Sequence, residues 1–358
     1  MKTQLKKKKV LFFLPGGVGG AERMSILIGK MLPKDCFHVK YVVLGRRREV
    51  FDILPKNYEI DTIPVHNIYC FSTLRIWWKI MREKPDLAFT SQVAYNPRVI
   101  IAAKLAGRKI VVRSSGMLSD YAGLKLFSVK WTYPLADKII AQQEDMRKEI
   151  INILHLADDK VVTIHNPLDT STIDVLSKAP SPYTTKGCIN YVQSASVNHR
   201  KAQDVSIQAL SIVRRTNPNA HLYIIGRYEK KSDYYLELVK LIDDLNLNDY
   251  VHFVGYDKNP FRWINNADCF VFPSRAEGLP NALIEASYLG IPCAASRCLR
   301  VVDEIIKDGL NGYIAEVDDI EGIANAMKKS VKLSNCKMIY KPGSQEEFQH
   351  LFDLQIYQ

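Results

Sequence analysis

The chain has 358 residues, of which 47% are hydrophobic and 24% are charged, as is usual for a globular protein. This length favours two domains over one. No apolar run approaches the roughly 20 residues that a membrane-spanning helix requires, and this excludes such a helix. The lysines at residues 6–9 resemble the start of a signal peptide, but the apolar stretch after them is too short and is interrupted at Pro15.

The formal net charge of +11 indicates an acidic partner or surface. Nucleic acid, anionic lipid and a nucleoside diphosphate all qualify, but no zinc finger, RRM or other nucleic-acid motif accompanies the charge. We therefore expect no nucleic-acid partner and favour a membrane surface or a phosphate ligand. The seven cysteines are scattered and odd in number. They fit neither a disulfide framework nor a paired C-x-x-C zinc site, which predicts a reduced, cytoplasmic protein.

Strand and helix patterns alternate through the first half of the chain. Apolar runs predict strands at residues 10–14, 39–44, 87–90, 110–113, 138–141 and 161–164. Helical spacing of apolar residues predicts helices at residues 21–31, 73–82 and 144–154. The alternation predicts an α/β domain over residues 1–169, with a parallel sheet covered on both faces.

Residues 170–187 are polar, contain two prolines and have no apolar period, which predicts a linker. The alternation then restarts. Strands are predicted at residues 189–193, 222–225, 250–254, 269–272, 292–295 and 312–315, and helices at residues 203–215, 233–245 and 320–330. A second doubly wound domain is thus predicted over residues 188–335. Ligands of such sheets bind beyond the carboxyl ends of the strands.

A glycine-rich loop joins the first predicted strand to the first helix. Gly16, Gly17, Gly19 and Gly20 would let a phosphate group approach backbone N–H groups closely. A dinucleotide-binding loop needs G-x-G-x-x-G, but the third glycine position here holds Glu22, which argues against a nicotinamide dehydrogenase. An ordinary tight turn is the alternative interpretation.

The most informative stretch is E-G-L-P-N-A-L-I-E at residues 277–285. It follows a predicted strand, and Pro280 suits the first position of a helix because its missing N–H costs nothing there. Glu277 then lies in a loop, and Glu285 lies about one turn into the helix. Free backbone N–H groups at the helix start make an anion site beside two carboxylates, which suits phosphate and sugar hydroxyls. The simpler alternative is a loop and helix with two solvated glutamates.

This spacing of Glu277 and Glu285 resembles the retaining glycosyltransferases of family 4. The resemblance spans about residues 8–330 and implies the GT-B architecture, in which two Rossmann-like domains face a central cleft. The first domain would bind the acceptor and the second the nucleotide sugar, while a C-terminal helix in residues 336–358 crosses back to the first domain. It also implies that Glu277 lies beside the donor sugar and Glu285 holds the ribose. The resemblance also places in the donor site four residues between these glutamates, namely Gly278, Leu279, Pro280 and Asn281.

Three further segments carry the same resemblance. The glycine loop resembles the amino-terminal loop of the family, which implies donor binding. Residues 194–204 resemble the segment whose Arg and Lys grip the donor diphosphate. Lys201 occupies the Lys position, but Ser196 stands at the usual Arg position, and Arg200 could supply that charge from its own position. Arg grips phosphate better than Lys because it binds in a bidentate manner.

His165 and Asn166 begin an H-N-P-L-D element that resembles the hinge segment of the family, where we expect His165 to be a hinge hydrogen-bond partner rather than a catalytic group. Gly226, Arg227 and Tyr256 follow two strands of the second half and are expected to line the nucleotide pocket, with Tyr256 near the base. Surface packing is the plain alternative for Tyr256.

One departure concerns the first domain. Family members often carry a His after the strand that matches residues 110–113, directed at the donor sugar. This chain has no His there, so we expect Arg113 or Ser115 to face the sugar instead.

The resemblance implies transfer of a sugar, by default from a UDP-hexose or UDP-N-acetylhexosamine, with retained anomeric configuration. Arg200, Lys201, the glycine loop and the helix start would meet the charge of the leaving diphosphate. Glu277 would stabilise an oxocarbenium-like state. No D-x-D triplet occurs, so we expect no metal and no further cofactor.

Two alternatives stay open. One is another GT-B enzyme on the same donor, such as an epimerase or a hydrolase. The other is a non-enzymatic nucleic-acid or lipid-binding protein, which would explain the charge but not Glu277 and Glu285.

Two apolar patches concern the acceptor. In residues 73–82, Leu74, Trp77, Trp78 and Met81 recur at helical spacing beside the cations Arg75, Lys79 and Arg82. Leu124, Phe127 and Trp131 form a second patch with Lys125 and Lys130. The plain interpretation is packed helices with solvated cations. The sharper one is peripheral contact with anionic lipid at the inner face of the cytoplasmic membrane, as a polyprenyl-linked or glycan acceptor of surface-polysaccharide synthesis would require.

Overall fold

The protein forms two compact units in the computed structural model, which describes residues 7–17, 19–45, 47, 49–65, 69–184 and 187–357. The first unit runs to Pro167 and includes Pro342–Gln358, and the second is Leu168–Lys341. Lys6 of the basic run, Val18 of the glycine loop, and Thr185 and Lys186 of the predicted linker lie outside the described residues.

The first unit contains a parallel sheet of seven strands in the order β3-β2-β1-β4-β5-β6-β7. Its strands are β1 Lys8–Pro15, β2 Phe37–Leu44, β3 Glu59–Ile63, β4 Leu87–Thr90, β5 Lys109–Arg113, β6 Lys138–Ala141 and β7 Val161–Thr163. The central strands are apolar at successive positions because both faces of the sheet are covered. Leu11 and Phe13 pack on one face, and Val10, Phe12 and Leu14 pack on the other.

Helices cover both faces of this sheet. They are α1 Gly20–Met31, α2 Tyr69–Glu83, α3 Asn96–Leu105, α4 Gly123–Thr132, α5 Glu144–Leu154 and, after the second unit, α13 Gln345–Tyr357. α13 belongs to this unit because Phe348, Leu351 and Phe352 are buried in its core. The ring of Phe352 stacks on Phe12 at a centroid distance of 6.0 Å.

The second unit repeats the plan with six parallel strands in the order β10-β9-β8-β11-β12-β13. Its strands are β8 Ile189–Ser194, β9 Ala220–Ile225, β10 Val251–Gly255, β11 Cys269–Phe272, β12 Cys293–Ser296 and β13 Gly312–Ala315. Its helices are α6 Thr170–Leu176, α7 Gln203–Arg214, α8 Asp233–Asp244, α9 Phe261–Ile264, α10 Asn281–Tyr288, α11 Val302–Ile305 and α12 Ile320–Ser330. The α/β doubly wound class predicted from the alternation is therefore present in each unit.

Several elements differ from the sequence prediction or were not named in it, among them helices α3, α4, α9 and α11. The segment predicted as a linker begins with a helix, α6, because the Asp169 carboxylate accepts a hydrogen bond from the Thr172 amide and Ile173 is buried. Strand β3 was not predicted, because the sequence E-I-D-T-I lacks an apolar run and lies at the edge of the sheet.

The topology brings the predicted motifs of each unit to one edge. In the second unit, Ser196, Gly226, Tyr256 and Glu277 follow the carboxyl ends of β8, β9, β10 and β11, which are consecutive in space. In the first unit the glycine loop follows β1. These edges are where open α/β sheets bind ligands.

Candidate active site

Glu277 forms the centre of a charged cluster in the second unit. Only 8% of the residue is exposed, and two cationic side chains lie near its carboxylate. The Lys201 ammonium donates to Glu277 Oε1 at 2.5 Å, and Arg200 Nη2 lies 4.0 Å from Oε2. We call these three residues the Glu277 cluster. The structure thus brings together the three residues that the sequence named as catalytic, although 76 positions separate Lys201 from Glu277.

The cluster combines a buried anion with an accessible cation. The Arg200 side chain is 61% exposed, whereas that of Glu277 is 7% exposed. A guanidinium has five N–H donors and an ammonium has three, so both cations can bind an added anion while they face Glu277. An exposed cation beside a buried carboxylate is chemically suited to hold a diphosphate and to oppose developing positive charge.

Hydrogen bonds from strand β8 hold the turn that carries the two cations. Lys201 is followed by Ala202, a buried residue in the left-handed region with φ of 50°. The Lys201 carbonyl accepts a hydrogen bond of 2.7 Å from the Gln193 amide on β8, and Ser206 donates to Gln193 in turn at 2.8 Å. A non-glycine residue with positive φ persists only where its surroundings fix it.

Arg275, which the sequence interpretation missed, lies in the same loop as Glu277. Its guanidinium donates to the Asp204 carboxylate at 3.0 and 2.6 Å and to Asp318 at 2.7 Å. Burial alone would raise the pKa of Asp204, but hydrogen bonds from Arg275 and Tyr234 outweigh it and hold that pKa below its ordinary value. The pair therefore stabilises the fold at neutral pH, and the contribution is lost as the pH falls through that lowered pKa. The position of this arginine, two residues before Glu277, was the signal in the sequence that could have identified it.

The E-G-L-P-N segment leads into helix α10, as the sequence predicted, with one correction. Pro280 is the residue before the helix rather than its first residue, because its ψ of 69° is not helical. Leu279 is buried in the core of the unit. Gly278 and Asn281 flank these two residues, and Glu285 lies one turn inside α10, partly buried. The prediction of free N–H groups at this helix start is wrong for two of its amides. The Asn281 amide donates to the Leu279 carbonyl and the Leu283 amide donates to the Pro280 carbonyl, each at 3.0 Å.

An open cavity of about 700 Å³ adjoins the ends of β9 and β10. Arg227 and Tyr256 line it, with the guanidinium 4.8 Å from the Tyr256 ring centroid. Gly226 is required here, since a Cβ would lie 2.1 Å from the Ala195 carbonyl oxygen. Ser196 is exposed one residue further, and its hydroxyl accepts a hydrogen bond of 3.0 Å from the Asn198 amide.

In the first unit, the glycine loop is closely packed. A Cβ on Gly16 would lie 1.9 Å from the Arg47 carbonyl oxygen, and one on Gly19 would lie 2.8 Å from Glu22 Oε2. Gly17 has only the Arg47 side chain near it, and Gly20 has open space. The backbone contact explains glycine at Gly16 without a ligand, whereas the contact at Gly19 is with the flexible end of a side chain.

Arg113 and Asn166 meet at the carboxyl ends of β5 and β7. Arg113 is fully enclosed and donates to the Asn166 side-chain oxygen. Burial lowers the pKa of Arg113 to about 9, and its Nε and Nη1 atoms have no hydrogen-bond partner among the described residues. Asn166 is also buried, and its carbonyl accepts from the Gly343 amide at the start of the last segment. Ser115 is partly exposed nearby in sequence.

The two predicted apolar patches lie on the surface of the first unit. On α4, Leu124, Phe127 and Trp131 are 86%, 59% and 69% exposed. On α2, Leu74, Trp78 and Met81 are exposed, but Trp77 packs against the core. Helix α3 lies in contact with both and adds two exposed side chains that the sequence interpretation missed. They are Ile101 and Leu105.

The basic stripe predicted on α2 is wrong for Lys79. Its ammonium pairs with the Asp61 carboxylate and with Glu83 at 2.9 Å, beside Lys40, which contacts the same carboxylates. Arg75 donates to the Pro64 carbonyl at 2.8 Å and remains exposed. Lys79 therefore belongs to an ion network of the sheet edge, which periodicity along one helix could not reveal.

Within the described part of the chain, no helix is long and apolar enough to cross a bilayer. The same residues contain no group of three or more His, Cys, Asp or Glu side chains arranged to hold a metal ion.

A family model described as glycosyl transferases group 1 matches residues 184–345, and one described as Glycosyltransferase Family 4 matches residues 18–172. An uncharacterized glycosyltransferase of Methanocaldococcus jannaschii is 31% identical over 251 residues, which are 65% of this chain and 61% of that protein. The chain thus spans about three fifths of that relative.

Two further matches span nearly the whole chain. The N-acetylgalactosamine-N,N'-diacetylbacillosaminyl-diphospho-undecaprenol 4-alpha-N-acetylgalactosaminyltransferase of Campylobacter jejuni is 23% identical, over 94% of this chain and 93% of its own length. The crystal structure of Anabaena HepE in complex with UDP and glucose superposes with a TM-score of 0.80 at 18% identity, over 98% of this chain and 99% of that one.

The close approach at Gly226 yields a prediction. We expect Gly226→Ala to lower the free energy of unfolding by about 1–3 kcal/mol, because the added methyl group meets backbone rather than a flexible side chain. Gly20→Ala is the matched control, since its Cβ would meet nothing within 4 Å. Urea unfolding followed by circular dichroism measures both, and equal effects of the two substitutions would contradict the prediction.

Proposed function

The chain belongs to glycosyltransferase family 4 and has the GT-B fold, and we propose that it is a retaining transferase of surface-polysaccharide assembly. It moves a hexosyl or N-acetylhexosaminyl unit from a UDP-sugar to a hydroxyl group of a polyprenyl-linked or glycan acceptor. The observation that carries this proposal is the Glu277 cluster, a buried carboxylate held by one cation and faced by another that is exposed.

The cluster suits the departure of a nucleoside diphosphate. As the bond between the sugar C1 and the diphosphate oxygen breaks, negative charge grows on the phosphate and positive charge grows on the sugar ring. Arg200 and Lys201 would stabilise the first, and Glu277 would stabilise the second. The acceptor oxygen bonds C1 on the face that the diphosphate leaves, and its proton passes to the departing phosphate oxygen. The configuration at C1 is therefore retained without a separate protein base.

The nucleotide would extend from this cluster along the edge of the second sheet. The cavity lined by Arg227 and Tyr256 has room for a uracil ring. The exposed Tyr256 ring would stack on that base. Glu285, partly buried in α10, would bind the ribose hydroxyls. A UDP donor is supported by the solved HepE complex, which contains UDP and glucose. A diphospho-polyprenol acceptor is supported by the printed name of the Campylobacter relative.

We propose further that the two cations replace a metal ion at the diphosphate. The function is tested by incubating the purified protein with UDP-hexoses and UDP-N-acetylhexosamines, with and without a polyprenyl-diphosphate-linked sugar. We expect an acceptor-dependent product with an axial linkage retained from an α-linked donor, both with and without EDTA. Release of free sugar without acceptor would indicate a hydrolase, and an altered UDP-sugar would indicate an epimerase.

We expect substitutions of Glu277 and Glu285 to have different effects on turnover and donor binding. Glu277→Gln should lower kcat by about 100-fold with little change in donor affinity, because the charge acts where the transition state forms. Glu285→Ala should weaken donor binding by about tenfold through lost ground-state hydrogen bonds. Steady-state kinetics and calorimetry with UDP separate these effects. Glu321→Gln, at an exposed residue of α12, is the control, and equal minor effects of the first two substitutions would reject both roles.

We also propose that α2, α3 and α4 rest on an anionic bilayer at the inner face of the cytoplasmic membrane, where the proposed lipid-linked acceptor would lie. Exposed apolar side chains of this extent are costly in water unless a partner covers them. Phe127 and Trp131 lie one turn apart on α4, flanked by the exposed cations Lys125 and Lys130. Amphipathic faces of this composition bind at the headgroup boundary, and each cation adds on the order of 1 kcal/mol.

Vesicle co-sedimentation tests this membrane face. The double substitution Phe127→Ser and Trp131→Ser should reduce binding to anionic vesicles by about tenfold or more, because it removes the apolar area that enters the bilayer. The control is Leu236→Ser with Leu310→Ser, two exposed leucines of the second unit. Absence of wild-type binding at low salt, or an equal loss in the control, would reject the proposal.

A further inference from the structure

Arg275 is a cation outside the Glu277 cluster that touches both loops from which the cluster is built. It lies two residues before Glu277 in the loop after β11. Its backbone amide donates to the Arg200 carbonyl at 2.8 Å, and its Nη1 donates to the His199 carbonyl at 2.7 Å. Arg275 therefore fixes the turn that presents Arg200 and Lys201.

The remaining bonds of Arg275 anchor this contact to rigid structure. Nη1 and Nη2 bond the two oxygens of Asp204, in the first turn of α7, and Nε bonds Asp318 before α12. Asp204 also accepts a hydrogen bond of 2.6 Å from the Tyr234 hydroxyl on α8. A bidentate pair of this kind sets direction as well as distance.

Four of the five N–H groups of the guanidinium thereby donate hydrogen bonds within the protein. Its three nitrogen atoms bond two carboxylates and one carbonyl, and the side chain is only 17% exposed. By contrast, Arg200 is exposed and has no carboxylate nearer than 4.0 Å among the ion pairs of the described residues. Arg275 is thus placed to hold the phosphate-binding turn rather than to bind phosphate.

The turn needs such support. Ala202, immediately after Lys201, has the left-handed backbone that disfavours any residue with a Cβ. Gln193 holds the Lys201 carbonyl from the sheet side, and Arg275 holds the carbonyls of His199 and Arg200 from the loop side. Release of either side would let the turn relax and carry Lys201 away from Glu277.

We infer that Arg275 is a positioning residue for the donor diphosphate site. Through Asp204 and the carbonyls of the turn, it sets the position of Arg200 and Lys201 relative to Glu277. The inference rests on the proposed function, since it assigns these cations to a diphosphate. Displacement of a catalytic group by about 1 Å can lower a rate by about 100-fold, so the effect should appear in binding and in turnover.

The experiment measures UDP affinity by calorimetry, and kcat and KM for the donor, in Arg275→Gln, Arg275→Lys and Asp204→Asn. We expect Arg275→Gln and Asp204→Asn each to weaken UDP binding by about tenfold, and Arg275→Lys to lie between them and the wild type. The double variant Arg275→Gln with Asp204→Asn should bind UDP no more weakly than either single variant, because both substitutions break the same ion pair. Arg147→Gln is the control, since Arg147 also pairs with two carboxylates, Glu144 and Asp158, but belongs to the first unit.

Each outcome separates the alternatives. If the variants unfold at a lower temperature but bind UDP as the wild type does, Arg275 has only a structural role and the inference is overturned. If Asp204→Asn leaves UDP affinity unchanged while Arg275→Gln lowers it, Arg275 is a direct phosphate ligand and the positioning role is wrong. If the wild type binds no UDP, the proposed donor and this inference fail together. If the wild type binds UDP and the variants bind it with unchanged affinity, the inference alone is overturned.

Discussion

The ion pair between Lys201 and Glu277 is the interaction on which the arrangement of the second unit depends. A carboxylate that is almost fully enclosed is stable only if an opposite charge and hydrogen bonds replace the water it has lost. Lys201 supplies both, and its own position requires a left-handed residue after it and hydrogen bonds to each carbonyl around it. The buried charge is therefore coupled to the conformation of two separate loops.

The parallel sheet makes this coupling possible. β8 and β11 are neighbours in the sheet although the chain visits β9 and β10 between them, so the loops that follow them lie side by side. The loops span residues 195–202 and 273–280, and each leads into a helix, α7 or α10, that packs in the core of the unit. Side chains mounted on such loops have little freedom, which is what a site for a charged transition state requires.

The excess of positive charge is not uniformly available to ligands. Lys40 and Lys79 are enclosed with Asp61 and Glu83, where hydrogen bonds to the lysines outweigh burial and lower the pKa of both carboxyl groups. Such cations stabilise the sheet edge and cannot be counted toward a membrane or phosphate site. Arg200 and Lys130, by contrast, are exposed, one beside the Glu277 cluster and the other on α4. The net charge alone therefore indicates a class of partner but not where that partner binds.

Local sequence determined the features that depend on local spacing. Buried parallel strands need continuous apolar runs, so β4, β6 and β13 were predicted with the bounds that the structure has. Glu277 and Glu285 are eight positions apart, and a loop followed by one helical turn placed them correctly. Elements without a clear periodic signal were missed, among them the polar edge strand β3 and the capped helix α6, because pairing and packing with distant segments stabilise them.

Only the tertiary structure decided which charges meet. Arg275 and Asp204 are 71 positions apart, and Lys79 and Asp61 belong to different elements, so no periodicity along the chain could pair them. The sequence resemblance named Lys201 and Glu277 as functional, but their contact, and the enclosure of Arg113 beside Asn166, follow from strand order and burial. Short-range propensity and apolar patterning act within a few residues, whereas the energies of buried charges depend on every group that folding brings near them.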